Sequence, residues 1–90
     1  MLLQTPYEMA FDVAKRFRKI RKQKKITMKE LSKRSGVPYS TVRRFETMGE
    51  ISFLSLVKMA SVIGEDDQIT GLFAESVPAS IEEVIRGNRY

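Results

Sequence analysis

The side chains in this sequence with chemistry to offer are its cations. Eight of the eleven residues from Lys15 to Lys25 are Lys or Arg, and Arg43 and Arg44 follow beside Tyr39, Ser40 and Thr41. Ammonium and guanidinium groups at this density bind polyanions, because neutralising a phosphate releases its condensed counterions. Left as a solvated face alone, so many like charges would repel one another. Arg also carries a planar fork of donors that fits a base edge as well as a phosphate.

Other chemistries find little support. The sequence has no cysteine and no histidine. That removes disulfides, thiol catalysis and the commonest general base and metal ligand. Ser55 and Lys58 match the S-x-x-K nucleophile pattern, but the motifs that accompany it in such enzymes do not follow. There is no glycine-rich phosphate loop and no cluster of metal-ligand spacing, so neither catalysis, cofactor nor metal is expected. The longest apolar runs span a few residues, against roughly 18 for a membrane crossing. No charged-then-apolar leader opens the chain, and a cytoplasmic protein is expected.

Ninety residues suit one small domain. The net charge of +5 conceals an asymmetry: residues 1–45 balance to +10 and residues 46–90 to −5. A polyanion-facing half joined to a half with another task is the reading this split favours.

Elements follow from caps and periodicity. Thr5, Pro6 and Glu8 form a capping box with proline at the first helical position. They open an amphipathic helix over about residues 6–23, with Val13, Phe17 and Ile20 inward. That apolar stripe is claimed by the core, so the basic helix is not expected to lie on a membrane. Thr27 and Glu30 predict a second box and a short helix over 28–35, with Leu31 inward. Gly36 ends it in the left-handed conformation. A third helix runs from Pro38 or Tyr39 to Thr47, burying Val42 and Phe45. Ser52 caps a fourth, in which Phe53, Leu56, Val57, Ala60 and Ile63 recur up to a stop at Gly64. Asp66 or Asp67 caps a fifth holding Ile69, Leu72 and Phe73. Ser80 and Glu83 form a last box before a turn or two at 81–86. No strand pattern appears, so the expected fold is all-α: five helices and a short tail.

Two short helices joined through Gly36 make a minimal helix-turn-helix, whose second helix enters the major groove of DNA. Tyr39, Ser40, Arg43 and Arg44 then fall on outward positions of that helix.

Here the chain resembles the XRE family of helix-turn-helix domains, of the Cro and lambda-repressor type. The stretch Ile20-Arg21-Lys22, then Ile26-Thr27-Met28-Lys29-Glu30-Leu31, then Ser35 through Glu46, follows the family pattern nearly position for position. The likeness continues through Ile51-Ser52-Phe53 and Leu56 to Ala60 as far as Gly64. It implies a lambda-repressor-like domain over 1–74 and a C-terminal tail over 75–90.

The resemblance also implies roles. Arg21 and Glu46 match an internal ion pair tying helix 1 to the end of helix 3. Tyr39, Ser40 and Arg44 match base-reading positions, where an Arg can bond guanine through O6 and N7. Thr41 and Arg43 are better placed for phosphate, and Lys22, Lys29 and the helix 2 start at Thr27 and Met28 are expected to contact phosphate as well. Met28 departs from the family's usual glutamine, which leaves the backbone N–H groups of that helix start to hold a phosphate. Pro38 departs from the usual hydroxyl cap.

The second half points to protein. Leu54 stands where the family generally places a polar residue, and Ile69, Leu72, Phe73, Ile81, Val84 and Ile85 extend the apolar supply. They are expected at a dimer or partner contact, since a two-fold dimer reads two half-sites of a palindromic operator in duplex DNA. The run from Thr47 to Gly64 with the acidic helix after it resembles HipB-like antitoxins, which repress their own operon and bind a HipA-like kinase toxin. The alternatives are a phage or stand-alone repressor without a toxin partner, or a non-specific nucleic-acid-binding or protein-adaptor module.

Overall fold

The computed structural model describes residues 3–76. Over that range the regular structure is entirely helical: α1 (Pro6–Gln23), α2 (Met28–Ser35), α3 (Tyr39–Met48), α4 (Phe53–Val62) and α5 (Asp66–Thr70). The helix expected at 81–86, with its Ser80 and Glu83 cap, lies outside the described residues.

Side-chain caps mark where α1, α2 and α4 begin. The Thr5 hydroxyl accepts from the Glu8 N–H at 3.1 Å, and the Glu8 carboxylate accepts from the Thr5 N–H at 3.1 Å. This is a complete capping box. Thr27 accepts from the Glu30 N–H at 3.0 Å, but the Glu30 carboxylate turns to Arg34 at 3.1 Å instead of back to Thr27. The second box is therefore half made, because the i,i+4 cation on the same face competes for the carboxylate. Ser52 caps α4 by accepting from the Ser55 N–H at 3.2 Å. Helix α3 has no side-chain cap and starts from Pro38, whose φ is −55°. The proline ring fixes that angle near the helical value in advance.

α1 closes with its last carbonyls taken up twice. The Ile26 N–H donates to the Arg21 carbonyl at 3.2 Å and the Lys25 N–H to that of Lys22 at 3.0 Å. Lys25 sits at the left-handed position of that turn, with φ 59°. Glycine is customary there.

α1 packs on α3, α2 on both α3 and α4, and α4 on α5. Between them lies one core of Ala14, Phe17, Leu31, Val37, Val42, Phe45, Met59 and Ile63. Phe17 and Phe45 meet edge to face, with ring centroids 5.4 Å apart. That arrangement sets the positive edge of one ring on the negative face of the other. Three expectations are corrected here. Val13 is 40% exposed, and the buried stripe of α1 is Ala14, Phe17 and Arg21, one residue further round. A buried ion pair at Arg21 turns the helix that way. Phe53 is 59% exposed, and Met59 takes the core position instead. α4 is apolar on most faces, so its periodicity does not single one out.

The third correction is α5. Neither Asp66 nor Asp67 caps it; both lie within its first turn, and the cap position is Glu65. In that turn their charge faces the positive end of the helix dipole. The helix stops at Thr70, so Leu72 and Phe73 follow it in a turn, Phe73 92% exposed. Lys24 ties this end of the fold to α1: its ammonium donates to the Ile63 carbonyl and to the Glu65 carboxylate. The Gln68 amide and Lys24 together hold the Glu65 carboxyl below the usual glutamate range. Both favour its charged form.

Gly36 and Gly49 both adopt left-handed backbone, φ 78° and 80°. Only Gly49 is also crowded. A Cβ there would lie 2.8 Å from the carbonyl carbon of Ala10 and from the amide nitrogen of Phe11. Nothing comes within 4 Å of the same atom at Gly36. Gly36→Ala is thus expected to lose about 1–2 kcal/mol, the ordinary penalty for an L-residue in that conformation. Gly49→Ala should lose on the order of 3–4 kcal/mol, because backbone must also move. Chemical denaturation of the two variants measures the difference; equal losses would mean that the end of α3 does not seat on α1.

Candidate nucleic-acid interface

α3 divides sharply into two faces. Val42, Phe45 and Glu46 are buried, while Tyr39, Ser40, Arg43, Arg44 and Thr47 are exposed at helical spacing on the other side. Ser40, Thr41, Arg43, Arg44, Thr47 and Met48 line a shallow depression on that outer surface. An array of hydroxyls and guanidinium groups on one ridge of a helix is suited to the edges of bases and to phosphate oxygens.

Behind the ridge, Glu46 and Arg21 form a bidentate pair. Arg21 Nε donates to Glu46 Oε2 at 2.6 Å and Nη2 to Oε1 at 2.7 Å, with both residues buried. Arg21 Nη1 donates to the Ile26 carbonyl at 2.7 Å, in the loop before α2. One guanidinium therefore joins α1, the approach to α2 and the last turn of α3. Arg18 adds a longer contact, 3.9 Å, from the exposed side of the same carboxylate.

The other anticipated residues take separate places. Lys22 is exposed in the last turn of α1, and Lys29 is exposed in the first turn of α2. The Thr27 oxygen already accepts a helix N–H. Its own O–H is what remains to offer a phosphate. Met28 packs its half-buried side chain against the core, which leaves only its backbone for that purpose. Leu54 and Leu72 are exposed and Ile69 is half-buried. Ile69 and Leu72 border an apolar groove with Val13, Phe17, Ile20, Phe53 and Leu56. Ile81, Val84 and Ile85 lie outside the described residues.

Two residues at the ridge escape sequence reasoning. Thr47 bonds its hydroxyl to the Arg43 carbonyl at 2.8 Å, facing outward one turn beyond Arg43. Glu50 accepts from Arg44 across the turn at Gly49. Helical spacing alone could have placed Thr47 on the face; Glu50 depends on a chain reversal that spacing does not encode.

The family model of the description Helix-turn-helix matches residues 17–68, more than half of the chain. The chain belongs to the Helix-turn-helix family. Its members of this XRE type are DNA-binding transcription regulators, and this chain is one of them. The match spans α2 and α3, the buried pair and the ridge. Comparison with curated proteins and with solved structures yields no match. Among the described residues no helix is long and apolar enough to cross a membrane.

Removing one partner of the Arg21–Glu46 pair leaves a buried charge unmatched, which typically costs about 3–5 kcal/mol. Arg21→Ala and Glu46→Ala should each lose that much by denaturation. A double change to Met and Leu should recover most of it, since apolar groups of similar volume need no partner. Single losses under about 1 kcal/mol would show that the pair does not hold the helices together.

Proposed function

We propose that this chain is a sequence-specific repressor that binds palindromic duplex DNA as a homodimer, with α3 in the major groove. The observation that carries the reading is the two-faced α3, with a polar and cationic ridge outside and a buried ion pair behind it. Arg44 reads a guanine through O6 and N7, while Tyr39 and Ser40 meet neighbouring base edges at the start of the helix. Arg43, Thr41, Lys22, Lys29 and the Thr27–Met28 helix start hold phosphates and set the register. The remaining cations of residues 15–25 steer encounter without each making a contact.

A lone domain of this size reads few base pairs, so two copies act together on half-sites about 34 Å apart or a multiple of it. The exposed Leu54, Leu72 and Phe73, with Ile69 and the tail of 75–90, supply the protein-facing contact. The finer reading, a HipB-like antitoxin that represses its own operon and binds a HipA-like kinase, is supported by the sequence of residues 47–64 and by the acidic balance of the second half. A tagged chain that recovers no kinase from its own host would count against that finer reading alone.

Binding to a selected duplex and to unrelated duplexes, over a range of salt, tests the DNA assignment. Arg44→Ala should relax the preference at one base pair per half-site, by about 1–3 kcal/mol. Arg43→Ala should weaken binding to every sequence and reduce the salt slope by about one. If Arg44→Ala leaves both preference and affinity intact, another residue reads the base.

A further inference from the structure

Arg44 is not a free side chain. Its Nε donates to Glu50 Oε2 at 2.8 Å and its Nη2 to the same oxygen at 2.6 Å. Glu50 reaches it because α3 ends at Gly49, whose left-handed backbone turns the chain back toward the helix, with the Gly49 N–H donating to the Phe45 carbonyl at 2.7 Å. The crowding of Gly49 against the backbone of Ala10 and Phe11 fixes that turn in place.

The geometry selects one edge of the guanidinium. Glu50 occupies the lateral fork, made by Nε–H and one Nη2–H. Among the described residues no partner takes either Nη1–H group or the second Nη2–H. One Nη1–H and that second Nη2–H form the terminal fork, the pair of parallel donors that matches the O6 and N7 acceptors of guanine. A carboxylate on the lateral edge also repels phosphate, so it discourages Arg44 from folding back to the DNA backbone. Part of the ordering of a long flexible side chain is then met before DNA arrives, which favours the contact that orientation permits.

We infer that Glu50 is a positioning residue for base recognition: it holds Arg44 by its lateral edge and presents the terminal edge to guanine. The inference rests on the proposed base-reading role of Arg44. The pair is exposed, with side-chain accessibilities of 62% for Arg44 and 48% for Glu50. An exposed pair adds little to stability, so Glu50 variants are expected to fold.

The test uses the full-length chain and duplexes that the unaltered protein selects from random DNA, each compared with a version changed at the base pair sensitive to Arg44→Ala. Glu50→Ala should reduce the preference for guanine at that pair by on the order of 10-fold and tighten binding to unrelated duplex DNA at low salt. Glu50→Gln, which keeps an acceptor and loses the charge, should fall between the two. Thermal unfolding of both variants should match the unaltered chain. If Glu50→Ala instead tightens binding to all duplexes by one common factor with the preference unchanged, Glu50 is a competitor of DNA for Arg44 and the inference is overturned. A preference and affinity unaltered by Glu50→Ala overturns it too. These outcomes leave the role of Arg44 standing; only an Arg44→Ala variant that keeps the full guanine preference removes both.

Discussion

Three nitrogens of the Arg21 guanidinium are occupied inside the protein: two by the Glu46 carboxylate and the third by the Ile26 carbonyl. The backbone of Arg21 meets the same residue, since its carbonyl accepts the Ile26 N–H. A buried pair of this sort adds less net stability than its charges suggest, because both ions leave water to form it. What it supplies is geometry. Rotating α3 about its axis, or sliding it along α1, would strand a charge in the core. The outward ridge of α3 can therefore point only one way, and the function depends on where it points.

The features legible in the sequence are the local ones. Hydroxyl caps at Thr5, Thr27 and Ser52, proline at the start of α1 and α3, and glycine at the end of α2 each act within a few residues of themselves, so the pattern of types is enough to find them. The inward residues of α3 are also legible, because Val42 and Phe45 stand apart among polar neighbours. Where a helix is apolar on several sides, as α4 is, only its packing partner decides which side goes in, and Phe53 and Met59 exchange places accordingly. On α1 the decisive residue is charged, and an apolar periodicity that ignores Arg21 is out of register by one position. α5 is too short for periodicity to fix its end, which is why Leu72 and Phe73 fall outside it.

At the interface the same division holds. The exposed residues of α3 are found by spacing once the helix is known. Glu50 is not, because its contact with Arg44 spans a reversal whose direction is set by a glycine pressed against another helix. The charge distribution is legible as a sum, +10 against −5 between the two halves. The fold spreads that charge unevenly: Arg21 and Lys24 of the basic run serve the interior and the α4–α5 junction, while Lys22 remains outside. The acidic residues of the second half are likewise partly spoken for, Glu46 in the core, Glu50 at Arg44 and Glu65 at Lys24.

A rigidly held α3 that reads sequence in duplex DNA determines which duplexes the chain selects. Iterative selection of bound fragments from random duplex DNA by the full-length chain measures this most directly. A recovered motif with two symmetric half-sites, about 34 Å apart or a multiple of it and each carrying an invariant guanine, is the result expected. Enrichment of no motif, with recovery governed by salt alone, would mean that the ridge contacts only phosphates and that α3 does not read sequence.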